Sequence, residues 1–166
     1  MSPLLPLVLI PGMMCDARMW GGFAAPCPFI HALPVEHGTV QDLAASILAN
    51  APKLFALAGL SMGGILALEI LAQAPERLDR LAQFDTNPGA EPPQAQAARD
   101  LQIAKALSGA LDSVLRDEMK PNYLAAGPGP KPILDLALAL TLALGPWPLD
   151  PRSLPANPWR PGTAAI

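Results

Sequence analysis

Two apolar patterns alternate along the first half of the chain. Leu4 to Ile10 is a short, nearly continuous apolar run that stops at Pro11-Gly12, as a strand buried on both faces does. Met13 to Trp20 starts like a helix, and Gly21, Gly22, Pro26 and Pro28 end it quickly. Phe29 to Val35 predicts a second strand, kept short by Pro34. At Thr39 the period changes. Val40, Leu43, Ile47 and Leu48 fall on one helical face, Thr39 and Asp42 stand at capping-box spacing, and Asn50-Ala51-Pro52 closes the segment. A third apolar run, Leu54 to Ala58, stops at Gly59. Met62 to Ala74 follows at once as a helix apolar nearly all round, hence expected to be buried, and it ends before Pro75. Leu78 to Phe84 is a weaker fourth strand, interrupted by Gln83, and Asp85-Thr86-Asn87-Pro88-Gly89 is turn chemistry. Strands alternating with helices predict an α/β core on a parallel sheet of about four strands.

The second half differs in kind. Pro93–Leu107, Ala110–Met119 and Ile133–Leu144 read as helices, parted by Gly109 and by the Gly/Pro stretch around 127–132. Beyond them prolines stand at 146, 148, 151, 155, 158 and 161. Neither a helix nor a central strand tolerates that density, so this tail is expected to be irregular and to add no strand. The fourth strand is then left at the sheet margin. The predicted organisation is a core over 1–92, a helical segment over 93–145 and a Pro-rich tail over 146–166.

Composition narrows the function classes. With 166 residues, 51% of them apolar and 15% charged, the chain is long enough for one real core and too apolar to be a solvated tail. A net charge of -3 leaves no basic footprint for nucleic acid. Cys15 and Cys27 are too few for a disulfide scaffold or a zinc site and suit a reducing compartment, and no metal or other cofactor is expected. The apolar N-terminus lacks a basic region and a small-residue cleavage site, so it does not read as a signal peptide. Ile133–Leu144 would span about 18 Å as a helix against the ~30 Å of a bilayer core, and Asp135 interrupts it. A soluble cytoplasmic protein that does not enter a membrane is expected.

One motif carries chemistry. Gly59-Leu60-Ser61-Met62-Gly63 is a G-x-S-x-G pattern with an apolar strand before it and an apolar helix after it. In that setting the serine occupies a tight, strained strand-to-helix turn with its hydroxyl above the sheet edge. Gly59 and Gly63 are required because the strand and helix backbones pass too close for a Cβ. A helix beginning at the serine also sets the Met62 N–H and the positive end of the helix dipole beside the nucleophile, which suits an oxyanion. The loop Pro11-Gly12-Met13-Met14, on the same edge of the sheet, is the expected source of a second donor.

The stretches PLVLIPGMMCDARMW, FALAGLSMGGILALEILAQAPERLDRLAQFDTNP and RDEMKPNYLA resemble bacterial members of the α/β-hydrolase fold family, in its esterase and lipase-like branch. The likeness runs from residue 6 to about 145, and its middle block is the most specific. It implies that Ser61 is the nucleophile, that the Met13 and Met62 backbone amides form the oxyanion hole, and that the helices from residue 93 onward are a cap over the pocket. The substrate implied is a small-molecule carboxylic ester or thioester. Where the family often has His-Gly, this chain has Pro11-Gly12, which keeps the backbone donor and loses the imidazole.

The likeness stops short of a triad. Members carry an acid and then a histidine after later strands, whereas the only histidines here are His31 and His37. A serine at its free pKa is a poor nucleophile without an adjacent base. His31 is expected at the start of the second strand, far from Ser61. His37 is expected at the right edge but two strands away, about 10 Å at 4.8 Å per strand, against a hydrogen-bond reach of ~3 Å. Asp85, after the fourth strand, is the best-placed acid, though it reads first as a turn residue. Asp117-Glu118-Met119-Lys120 reads as a solvated helix end, Cys15 as a packing residue, and Met13, Met14 and Met62 as hints of an apolar acyl site. Two readings follow: a serine hydrolase, or a C-terminally truncated, catalytically incompetent member of that lineage, at most a ligand-binding module.

Overall fold

The computed structural model describes residues 4–21, 27–33, 39–87, 89, 93–119 and 130–144. The proline-rich tail and His37 lie outside the described residues. Contacts divide the described residues into two units, one up to Gly89 and one from Pro93 onward.

In the first unit four parallel strands form one sheet in the order β2-β1-β3-β4. They are β1 (Leu7–Ile10), β2 (Phe29–His31), β3 (Phe55–Leu60) and β4 (Leu78–Phe84). Register pairs Leu9 with His31, Ile10 with Gly59 and Leu60 with Phe84. The strand ends at Ile10, Leu60 and Phe84 therefore meet along one edge. Helix α1 (Val40–Asn50) joins β2 to β3, and α2 (Met62–Gln73) joins β3 to β4. Their apolar faces share one core with the sheet, in which Val8, Ile10, Phe55 and Leu57 meet Leu43, Ala44, Leu66, Ala67 and Ile70.

Local chemistry explains the helix ends. Thr39 Oγ1 accepts from Asp42 N at 3.1 Å while Asp42 Oδ2 accepts from Thr39 N at 3.0 Å, so the capping box forms. The Thr39 hydroxyl, donating to Asp42, holds that carboxyl below its ordinary pKa. At the other end of α1, the Arg77 guanidinium donates to the carbonyls of Leu48 (2.9 Å), Ala51 (2.8 Å) and Pro52 (2.8 Å). It also lies 5.8 Å from the Phe55 ring centroid. A cation on the open carbonyls of a helix C-terminus satisfies them and complements the dipole. Arg77 thus ties α1 to the turn entering β4.

Several boundaries differ from the pattern. The predicted helix after β1 is a single 3-10 turn, Ala17–Trp20, capped by Asp16 and stopped at Gly21 with φ 54°. The second strand ends at His31 rather than Val35, because its pairing to β1 runs out there. β3 runs two residues past Ala58, since pairing with β4 continues to Leu60. Helix α2 is not buried all round. Leu71 is 37% exposed, because only one side of the helix rests on the sheet and α1.

The second unit is helical: α3 (Pro93–Lys105), α4 (Leu111–Ser113) flanked by π-helical turns Ala106–Ala110 and Val114–Met119, and α5 (Pro130–Leu144). Gly109, at φ 96°, makes the break that its sequence position suggested. α5 starts three residues ahead of the predicted Ile133, its prolines falling in the first turn, where no N–H partner is lost. Thr141 is buried, and its hydroxyl donates to the Ala137 carbonyl at 3.0 Å.

Replacing Arg77 tests this account of how α1 is held. Arg77→Ala should lower stability by about 2–3 kcal/mol, since three carbonyls lose a charged donor. Arg77→Met, which keeps the apolar stem, should recover little of it. Urea unfolding midpoints of the two variants measure the split, and full recovery by methionine would assign the effect to packing.

Candidate active site

Ser61 links β3 to α2 at φ 53° and ψ -117°, a backbone conformation costly for any residue with a Cβ. Serine is a favoured helix cap, yet its side chain makes no capping bond here. The hydroxyl stays off the helix end, and Met62 supplies the first N–H of α2. The residue is solvent-exposed.

Close approach enforces this turn. A Cβ on Gly59 would overlap the Gly63 carbonyl, and one on Gly63 would overlap the carbonyls of Ile10 and Pro11. The turn is thus wedged against the end of β1. A Cβ on Gly12 would lie 3.7 Å from that of Ser61, so the loop after β1 passes directly beside the serine. The Cys15 N–H closes that loop by donating to the Gly12 carbonyl at 3.1 Å. Met14 is buried inside it at φ 59°.

From the other side β4 grips the same turn. The Ser61 N–H donates to the Phe84 carbonyl at 2.9 Å, and Gln83 Nε2 donates to the Gly64 carbonyl at 3.1 Å. Thr86 Oγ1 lies 3.2 Å from the Ser61 carbonyl, to which it donates. Three described non-glycine residues have positive φ: Met14, Ser61 and Asp85, following β1, β3 and β4 respectively. Such strain, of order 1–3 kcal/mol each, persists only where surroundings enforce it. All of it is gathered on one sheet edge.

No protein-family model and no curated protein sequence matches the chain. Solved structures do match. A thermophilic esterase from Thermogutta terrifontis aligns at TM-score 0.64 and 21% identity over 86% of this chain and 59% of its own. The enol-lactonase from Burkholderia xenovorans aligns at 0.68 and 18% over 84% and 60%. A carboxylesterase from Nitrososphaera gargenis aligns at 0.63 and 17% over 82% and 58%. The chain has the α/β-hydrolase fold. It spans about three-fifths of the length of those structures.

Within this fold the other candidates scatter. His31 is the last residue of β2, not the first, so it lies toward the Ser61 edge but two strands across the sheet. Its ring packs edge-on against Phe29 at 5.5 Å, and its Nδ1 is buried with no partner among the described residues. Asp85 follows directly on Phe84, the register partner of Leu60, and is exposed. Cys15 and Cys27 form no disulfide. Glu118 pairs with Lys105 at 2.7 Å, and that hydrogen bond holds its carboxyl below the usual range. Lys120 lies outside the described residues. A cavity of about 260 Å³ lies between β2 and α1, lined by Ile30, Leu43, Ser46, Ile47 and Asn50 among others, and Ser61 is not part of it. Among the described residues no helix is long and apolar enough to cross a membrane, and no cluster of metal-ligating side chains occurs.

Sequence reasoning missed Gln83 and Thr86. Gln83 looked like a flaw in a strand, and Thr86 like an ordinary turn residue. A polar residue breaking an apolar strand just before the loop that borders a strained strand-to-helix turn is the signal that would have found the first.

Gly63→Ala should remove about 3 kcal/mol or more, since its Cβ meets backbone that no rotamer change can move. The unfolding midpoint measures this. Retention of the wild-type midpoint would show that the helix and β1 do not approach as described.

Proposed function

We propose that the chain is a serine hydrolase core acting on a small-molecule carboxylic ester or thioester, with Ser61 as nucleophile. The observation that carries this reading is the serine held at φ 53° on a glycine-walled turn between β3 and α2. Ser61 Oγ adds to the acyl carbon and gives up its proton, the alcohol or thiol departs carrying a proton, and water then releases the acyl group as the carboxylic acid and restores the Ser61 hydroxyl. The Met62 N–H at the start of α2 and the Met13 N–H in the adjacent loop bind the developing oxyanion. No metal or other cofactor enters these steps. The names of the matching structures, esterase, carboxylesterase and enol-lactonase, support the substrate class. Two cysteines suit a reducing compartment, and the proposed location is the cytoplasm.

A second reading is favoured by the histidines. Attack by Ser61 needs a base for its proton, and this sequence has no histidine after His37. The strand order leaves β2 two positions from β3, so His31 is poorly sited to serve. In this reading these 166 residues hold the nucleophile and the oxyanion donors without a histidine sited to serve Ser61, and by themselves bind a ligand rather than turn it over.

Turnover of a short-chain nitrophenyl ester separates the two. Losing the base of a serine triad costs about 10⁶-fold in turnover, roughly 8 kcal/mol of transition-state stabilisation. The second reading predicts turnover near background for wild type, Ser61→Ala and His37→Ala alike, whereas the first predicts turnover that Ser61→Ala abolishes. Fast turnover abolished by both substitutions would make His37 the base. Fast turnover lost only with Ser61→Ala would place the base elsewhere in the chain.

A further inference from the structure

The carbonyl of Ser61 is unusually well supplied with donors. It accepts from Gly64 N at 2.9 Å and Ile65 N at 3.3 Å, as the first turn of α2 requires. A third donor, Thr86 Oγ1, reaches it at 3.2 Å from the loop after β4. The same hydroxyl lies 3.0 Å from the Phe84 carbonyl, which already accepts from Ser61 N. Its single proton is therefore shared between the two carbonyls that bracket the turn. The hydroxyl occupies the space that a Cβ on Gly64 would fill, which explains a glycine one place beyond the motif.

The Ser61 carbonyl and the Met62 N–H are opposite ends of one peptide group. Donors at the oxygen draw charge toward it and leave the N–H more positive, strengthening the bonds it makes. They also fix the plane of the peptide, and with it the direction of the N–H. We propose that Thr86 is a positioning residue of this site: its hydroxyl holds and polarises the Ser61–Met62 peptide, so that the Met62 N–H is aimed at the developing oxyanion. The proposal rests on the reading of Ser61 as nucleophile and Met62 as oxyanion donor. Thr86 touches no reacting atom. It acts through the backbone of the nucleophile itself.

Two variants separate this role from packing. Thr86→Val keeps the shape and removes the donor, while Thr86→Ser keeps the donor and removes a methyl. The first readout is the Met62 amide proton and Ser61 carbonyl carbon chemical shifts in the full chain. The second is the rate at which an aryl fluorophosphonate labels Ser61, followed by mass spectrometry with imidazole in the buffer as an external base. In Thr86→Val both shifts should move, and labelling should slow about three- to tenfold, less than the ~10²-fold cost of losing an oxyanion donor outright. In Thr86→Ser shifts and rate should return to wild type. Unchanged shifts in Thr86→Val, or equal changes in both variants, would overturn the proposal. A wild type whose labelling is no faster than that of Ser61→Ala would instead overturn the hydrolase reading, and with it the catalytic part of the proposal. The shifts would then still decide whether Thr86 polarises the peptide.

Discussion

The contact on which the rest of the first unit depends is the meeting of two backbones at Gly59 and Gly63. Strand β3 and helix α2 come together there with no room for a side chain on either glycine, and the end of β1 closes the third side. That approach forces the single residue between them that projects outward, Ser61, into left-handed backbone space. The register of the sheet serves the same junction. Ile10 lies opposite Gly59 and Leu60 opposite Phe84, so the loops leaving β1 and β4 emerge on either side of the serine. Packing of the core thereby becomes placement of a hydroxyl and of a helix N-terminus.

Strain of this kind must be held by something stronger than the strain itself. The Ser61 N–H bond to Phe84, the Gln83 side chain on the Gly64 carbonyl and the Thr86 hydroxyl form three polar ties from β4 to the turn. Farther away, Arg77 locks the end of α1 to the segment entering β4. Among the described strands β4 lies at the sheet margin, with one edge unpaired. Here it is anchored at both ends, by a guanidinium before it and by the turn after it. Trp20, from the loop after β1, adds an edge-on contact to Phe84 at 6.1 Å. The two flanking loops are thus braced against each other at the Ser61 edge.

Much of this was legible because local chemistry and global fold agree. The Thr39–Asp42 box, the helical period of Val40 to Leu48 and the limits of β4 survive intact, since each is set by residues within a few positions. Ends fixed by pairing were not legible. Nothing between His31 and Pro34 announces that β2 stops, because its end is set by where pairing with β1 ceases, at the Leu9–His31 pair. β3 outruns its apolar run for the same reason. At the site, the motif placed Ser61, Gly59 and Gly63 on their turn, and the loop of Met13 beside it. The left-handed Met14 carried no signal, methionine being an unexpected residue for that conformation. Gln83 and Thr86 were hidden because their roles belong to contacts across the sheet, not to their own strand.

The strained turn itself is open to a direct measurement, the difference in thermal stability between Ser61→Gly and Ser61→Ala. Both remove the hydroxyl, so any gap between them reports the backbone. In ordinary helix or strand, glycine is the less stable of the two by about 0.5–1 kcal/mol. At φ 53° and ψ -117° the alanine Cβ is the burden, and the account predicts the reverse order, with Ser61→Gly the more stable by about 1 kcal/mol. Ser61→Ala proving the more stable by the ordinary margin would contradict the strained turn, and the placement of the Ser61 hydroxyl that follows from it.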